Sequence, residues 1–165
     1  MTVQADRHET GMADDHREAE MLRWFFDEML PRWDAAFAGS VGPQVIADLC
    51  ATPMIVDTCD SLVRARDHAD LTCLLGTLIE SLRPAGVDHV LAPDCCVTAY
   101  GDLAGAVDVM WSLRAADGAE VLRLAGRYDI ARLDGEWRVT AAHVRPTDET
   151  TLDRVWTPTP AHEIG

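Results

Sequence analysis

The chain has 165 residues, 48% of them hydrophobic, which is the size and composition of one globular domain with a real core. Asp and Glu number 28 against 14 Lys and Arg, and the formal net charge is -14 at pH 7. Such an acidic chain repels nucleic acid and anionic membranes, so neither is an expected partner. No apolar run in the sequence is long enough to span a bilayer, which excludes a membrane-spanning helix.

The two ends of the chain differ in composition from its middle. Residues 1–14 are polar, charged and without hydrophobic period, which predicts a disordered tail. This segment has no apolar core of the kind that a signal peptide needs, so we expect a cytoplasmic protein. The expected domain covers residues 15–145. Residues 146–165 are polar and Pro-rich, which predicts an extended tail in which Trp156 is a candidate for docking onto the body or a second subunit.

The five cysteines argue for reduced thiols, because their number is odd and the chain has no export signal. His89 and the adjacent pair Cys95 and Cys96 lack a fourth ligand at a spacing that zinc requires. The sequence also has no Walker loop, no G-x-G-x-x-G and no H-E-x-x-H. We therefore predict no metal and no cofactor.

The first half of the sequence is mainly helical in pattern. Apolar residues recur at helical spacing from about Asp15 to Ala38, and Pro31 inside that run is expected to kink or split the helix. A short helix over residues 43–50 follows, and residues 53–59 and 61–65 predict a short hairpin of strands. A third helix is expected to begin at a capping residue, Asp67. Its buried stripe consists of Leu71, Leu74, Leu75, Leu78, Ile79 and Leu82.

The second half of the sequence predicts four strands. Residues 87–100 form the first, with a bend at Pro93, and residues 104–114, 120–133 and 137–144 form the others. The dipeptides Asp117-Gly118 and Asp134-Gly135 separate these last three runs and are strong hairpin signals. The predicted fold is therefore α+β, with a strongly bent antiparallel sheet whose concave face is covered by helices and encloses a pocket.

The same residues resemble a known group of proteins, the NTF2-like or SnoaL-like superfamily. Ala106 and Trp111 lie on one strand and Tyr128-Asp129-Ile130 on the next. The run Arg132 to Val139 (RLDGEWRV) is similar to the superfamily's R-x-D-G-x-W-R-I/V ending. The resemblance covers residues 15–145 and implies a cone-shaped, curved antiparallel sheet on three N-terminal helices. It implies no single reaction, because isomerases, cyclases, dehydratases and members of unknown activity share the fold.

One catalytic residue is implied by the ketosteroid isomerase-like branch of that superfamily. The branch has an acidic general base at the end of the strand that follows the first two helices, and Asp57 matches this position. A carboxylate in an apolar cavity has a raised pKa and can act as a base near neutral pH. The branch's helix-borne tyrosine would fall near Trp33 and its second acid near Gly126, and this chain has neither group there.

Two further side chains are candidates for polarising a substrate oxygen. Tyr128 alternates with Leu124 along its strand and is predicted to point to the concave side, either as a hydrogen-bond donor or as a core aromatic. His143 shares a face with Trp137 and Val139 if its strand is regular, which would place it near the pocket mouth as a proton shuttle. A bulge would reverse that assignment and leave a structural histidine.

The remaining candidate residues divide between the pocket and the outer face of the sheet. The outer face should carry Asp108, Arg123, Arg127 and Asp129, and the resemblance implies that this face forms a homodimer contact. The candidate pocket residues are mostly aromatic and also fit a plain core role. They are Trp24, Trp33, Phe37, His89, Trp111, Leu124 and Trp137.

Two functions follow from this sequence, and both use the same fold. The first is a cofactor-free isomerase, cyclase or dehydratase that acts on a small apolar metabolite, with Asp57 as base and Tyr128 or His143 polarising the substrate oxygen. The alternative is a non-catalytic ligand-binding or dimeric assembly module. In the extreme case its own side chains, Trp33 and Phe37, would fill the cavity.

Overall fold

The computed structural model describes residues 15–58 and 60–156. The predicted tail over residues 1–14, Cys59 and the last part of the predicted C-terminal tail, residues 157–165, lie outside the described residues. Within them, one six-stranded sheet has the strand order β2-β1-β6-β5-β4-β3. The strands are β1 (Cys50–Asp57), β2 (Leu62–Ala65), β3 (Val87–Ala99), β4 (Ala104–Ala115), β5 (Glu120–Leu133) and β6 (Glu136–Pro146).

The helices α1 to α3 lie on one side of this sheet and a short α4 lies on the other. Helix α1 covers residues 15–37, α2 covers Gln44–Ala47, α3 covers His68–Leu82 and α4 covers Leu152–Val155. The α+β architecture predicted from the sequence is confirmed.

Helix α1 accommodates Pro31 without a break. Phe25–Met29 form a π-helical turn, in which the Leu30 N–H bonds to the Phe25 carbonyl, and Leu30–Phe37 continue as α-helix. The wide turn lies directly before Pro31, whose ring has no N–H and crowds the preceding turn of a regular helix. The predicted disturbance at Pro31 is therefore a local widening, and α1 still presents Met21, Phe25 and Met29 to the core.

Helix α3 begins where its cap predicts. The Asp67 carboxylate accepts a hydrogen bond from the Asp70 N–H at 2.8 Å, and the Asp70 carboxylate accepts one from the Arg66 N–H at 3.2 Å. The first bond satisfies a backbone donor that the first turn of a helix leaves unpaired, and the second holds the residue that precedes the cap. Leu71, Leu75 and Ile79 are buried along the stripe that the sequence predicts.

One strand pair departs from the predicted antiparallel sheet. Strand β1 pairs with β6 in parallel, whereas the other four pairs in the described sheet are antiparallel. Turn dipeptides fix direction only for strands that are neighbours in sequence, and a long stretch of chain separates β1 from β6. The hairpin turns themselves are as predicted: Gly118 has φ 89°, and Asp134 and Gly135 have φ 53° and 81°.

Two of the bulges in this sheet decide the direction of predicted site residues. In β6, Val139 pairs with Ile130 and Ala141 with Asp129, so Thr140 is an extra residue. In β3, Val87 pairs with Ala115 and His89 with Arg114, so Asp88 is extra. Since side chains alternate along a strand, each bulge reverses the faces of the residues that follow it.

The outer face of the sheet carries a second apolar cluster. Leu152 and Val155 of α4 pack with Met110 and Ala125, and Trp156 packs against them. The Trp156 ring lies 4.9 Å from the Arg127 guanidinium and 4.5 Å from that of Arg145. Trp156 thus packs onto the body of its own chain, and residues 152–155 are helical rather than extended, with Leu152 and Val155 in this cluster.

We expect replacement of Asp67 by alanine to lower the free energy of unfolding by about 1 kcal/mol, because the first turn of α3 loses its cap. Chemical denaturation measures this change. Thr72→Ala is the matched control, since its hydroxyl only bonds back to the His68 carbonyl within α3. Equal midpoints for wild type and Asp67→Ala would contradict the assigned cap.

Candidate functional site

An apolar cavity of about 370 Å³ lies between α3 and the inner face of the sheet. Helix α1 contributes Met29 and Trp33 to its wall, and β1 contributes Met54 and Val56. The longest part of the wall is the leucine stripe of α3. Its members are Leu71, Leu74, Leu75, Leu78 and Leu82.

The mouth of the cavity is polar. Thr58 and Asp60 follow β1, Ser81 lies in the last turn of α3, and Arg145 lies near the end of β6. Asp60 and Ser81 are exposed, in contrast to the buried side chains deeper in the wall. An apolar interior with a polar entrance is typical of small-molecule sites.

Tyr128 is the main polar group of the interior. Its side chain is 4% exposed, and its hydroxyl oxygen accepts a hydrogen bond of 2.9 Å from Trp111 Nε1. Burial raises the pKa of the phenol far above its usual value, so the hydroxyl keeps its proton at neutral pH. Among the described residues Trp111 is its one hydrogen-bond partner, and the phenol proton is therefore available to a ligand.

Gly126 makes room for this pair. A Cβ at that position would lie 2.7 Å from Tyr128 Cε2 and 2.9 Å from both Trp111 Nε1 and the Tyr128 hydroxyl oxygen. Real Cβ atoms do not approach other atoms so closely, so a side chain here would displace the hydrogen-bonded pair. The absence of a side chain at Gly126 is thus part of how the interior is built.

Trp33 is a second donor on the cavity wall. Its indole Nε1 is buried and has no hydrogen-bond partner within the part of the chain that the structure describes. The ring packs against Phe37 and Trp111, with centroids 6.1 Å apart in both cases. A buried N–H that lacks an acceptor costs free energy, so this donor gains from an acceptor on a ligand.

The Cys50 thiol also reaches the cavity wall. Burial raises its pKa to about 12, so it is a neutral thiol at physiological pH. Its Sγ lies 3.5 Å from the Ile46 carbonyl oxygen and donates to it. Cys50 therefore adds no charge to the interior.

Asp57 and His143 lie together, but outside the cavity. Val56 lines the cavity, and Asp57, the next residue along β1, points to the opposite face of the sheet. There its carboxylate is 3.1 Å from His143 Nδ1, in register across the parallel pair. The expectation that both side chains face the pocket is corrected: the bulge at Thr140 turns His143 outward and puts Ala142 and Val144 on the cavity wall.

The predicted pocket residues separate into three groups. Trp33 and Leu124 line the cavity, while Phe37 and Trp111 line an adjoining void of about 40 Å³. The other three are corrected: Trp24 and Trp137 line a separate polar depression of about 700 Å³, and His89 is half exposed with Nε2 3.4 Å from Asp88 Oδ2. The bulge at Asp88 is the physical reason for the outward direction of His89.

The outer-face prediction holds for Asp108. Its carboxylate accepts from Arg127 Nε at 2.6 Å and from Arg127 Nη2 at 3.3 Å, so the two charges pair within one chain.

Among residues 15–58 and 60–156 no group of three or more His, Cys, Asp or Glu side chains is arranged to hold a metal ion. No helix in the same residues is long and apolar enough to cross a membrane.

The leucine wall is the part of the site that sequence reasoning missed. The sequence predicts a buried stripe on α3, yet Leu78 is 38% exposed and lines the cavity. The spacing of its leucines, at 71, 74, 75, 78 and 82, is that of an ordinary core-facing stripe, so the sequence does not distinguish a cavity wall from a packed core. Met54, Val56 and the polar mouth carried no signal either.

The open curved sheet, the helices on its concave side and the cavity between them define an NTF2-like α+β protein. Residues 17–147 match the family model described as NTF2-like protein (DUF6841), and the chain belongs to this family. No curated protein matches the chain.

Solved structures share this fold at low sequence identity. An NTF2-like protein with a cystatin-like fold from Novosphingobium aromaticivorans has a TM-score of 0.60 and 15% identity, over 96% of this chain and 97% of that one. An NTF2-like protein of unknown function from Pseudomonas putida has a TM-score of 0.60 and 14% identity, over 88% and 98%. A protein of unknown function with a cystatin-like fold from Nostoc punctiforme has a TM-score of 0.59 and 6% identity, over 77% and 92%. Similarity at this level shows the fold alone.

We expect Gly126→Ala to destabilise the protein by about 1–3 kcal/mol, because the new methyl group overlaps the Trp111–Tyr128 pair. Chemical denaturation measures the loss, and near-ultraviolet circular dichroism reports the displaced aromatic rings. Gly76→Ala in α3 is the control, since its Cβ would meet Pro43 Cγ at an ordinary 3.5 Å and alanine favours a helix. Similar stability of Gly126→Ala and wild type would disprove the tight packing described here.

Proposed function

We propose that this protein binds a small apolar molecule in the cavity under α3. The observation that carries the proposal is an apolar space of about 370 Å³ that opens through a polar mouth. Its volume lies within the range of known small-molecule sites. Trp33 stands in its wall and Phe37 in the wall of the adjoining void, which argues against a cavity filled by these two side chains.

A binding role has more support than proton-transfer catalysis. Among the described residues that line the cavity, the carboxylate belongs to Asp60, which is exposed at the mouth. Asp57, the expected base, lies on the other face of β1 with His143. A general base has to come within hydrogen-bond distance of the proton it removes, directly or through one water. Asp57 therefore has no assigned role in the pocket.

Titration with a neutral apolar fluorophore, N-phenyl-1-naphthylamine, tests the binding proposal. We expect saturable binding to the wild type with increased fluorescence. Leu78→Trp should weaken binding at least about tenfold, because the larger side chain takes up part of the cavity and of the adjoining void, both of which Leu78 lines.

The control for this experiment is Leu91→Trp, which adds the same ring at a side chain that is 51% exposed. It should leave the affinity unchanged. Absence of saturable binding to the wild type, or equal loss in both variants, would remove the support for a cavity site.

A homodimer through the outer sheet face is the second part of the proposal. Because α4 already covers Met110 and Ala125, a second copy would meet the part of that face near Ile55, which is 44% exposed. We expect light scattering at micromolar concentration to give a dimer mass for the wild type. Ile55→Glu should shift the mass toward a monomer, while Leu133→Glu, at a 43% exposed position in a hairpin end, should not. A monomer mass for the wild type would refute this part.

A further inference from the structure

We infer that the ligand of this cavity is a neutral carbonyl compound, such as a ketone, quinone, ester or lactone, whose oxygen accepts a hydrogen bond from the Tyr128 hydroxyl. The inference rests on the proposed function and adds the chemical class of the ligand. It follows from the kind of polar groups that the interior presents, which donate hydrogen bonds.

The hydrogen bond from Trp111 determines how Tyr128 can act. A phenol oxygen has two lone pairs and one proton, and Trp111 Nε1 occupies one lone pair at 2.9 Å. The proton then needs an acceptor, and the described residues supply none. A ligand carbonyl accepts a hydrogen bond and has no proton of its own. It therefore pairs with the Tyr128 proton and adds no donor that would need a further acceptor.

Trp33 reinforces the donor character of the wall. Its Nε1 carries a hydrogen that is buried and unpartnered within the described residues, and its ring lines both the cavity and the adjoining void. The Cys50 thiol donates to the Ile46 carbonyl and so offers no free acceptor of comparable strength. Two polar groups of the interior, the Tyr128 hydroxyl and Trp33 Nε1, are thus hydrogen-bond donors that have no acceptor among the described residues.

An alcohol fits this wall less well than a carbonyl. If its oxygen accepts from Tyr128, its own O–H is left without an acceptor. If it donates to the second lone pair of Tyr128, the phenol proton is left unpaired instead. A buried donor without a partner is unfavourable, so either arrangement lowers the affinity.

A carboxylate is disfavoured by charge. The cation among the described cavity residues is Arg145 at the mouth, and its guanidinium lies 4.5 Å from the Trp156 ring on the outer face. The interior is apolar, and moving an unpaired anion into such a space is costly. The whole chain carries a formal charge of -14, which further opposes an anionic ligand.

The test is displacement of the neutral fluorophore by camphor, borneol and camphane, which share one cage skeleton and differ as ketone, alcohol and hydrocarbon. We expect camphor to bind about three- to tenfold more tightly than either of the others, the range that one hydrogen bond supplies. In Tyr128→Phe this advantage should vanish. Tyr100→Phe is the control, because Tyr100 is 65% exposed and does not line the cavity.

Each outcome separates the inference from the proposed function. Equal affinity for the three compounds, or no displacement by any of them while the fluorophore still binds, overturns the carbonyl inference and leaves the pocket standing. A ketone advantage that persists in Tyr128→Phe and disappears in Trp33→Phe overturns the assignment to Tyr128. Failure of the fluorophore itself to bind the wild type refutes the proposed function. If Tyr128→Phe does not fold, the relative affinities of the three compounds for the wild type and for Trp33→Phe decide the inference.

Discussion

The hydrogen bond from the Trp111 indole to the Tyr128 hydroxyl determines what the cavity offers a ligand. The two residues come from neighbouring strands, and each is 4% exposed. Water does not compete with a hydrogen bond in such surroundings, so the bond is strong and the phenol orientation is fixed. Gly126 on the same face provides the space that both side chains need. Through this hydrogen bond Tyr128, an aromatic residue of the core, becomes a hydrogen-bond donor with a fixed orientation.

Much of the fold is encoded in local sequence features whose physical meaning is unambiguous. Asp134 and Gly135 both adopt the positive φ of a hairpin turn, and Asp67 caps α3 where a helix start is expected. Regular alternation over residues 122–130 of β5 places Tyr128 on the concave side, as its sequence context predicts. These features depend on near neighbours in the chain, and near neighbours are what a sequence shows directly.

The site is harder to predict because two bulges decide it. An extra residue at Thr140 reverses His143, and an extra residue at Asp88 reverses His89. Nothing in the local pattern distinguishes a regular strand from a bulged one, because a bulge arises from how the partner strand pairs. The parallel pairing of β1 and β6, which joins Asp57 to His143 on the outer face, likewise depends on contacts between residues that are far apart in the sequence.

The infrared stretching frequency of a carbonyl bound in the cavity tests the central claim most directly. A carbonyl that accepts a hydrogen bond vibrates at a lower frequency than the same carbonyl in an apolar solvent. We predict a lowered frequency for camphor bound to the wild type, and a return to the apolar-solvent frequency in Tyr128→Phe. A bound carbonyl whose frequency in the wild type equals that in an apolar solvent would contradict the account.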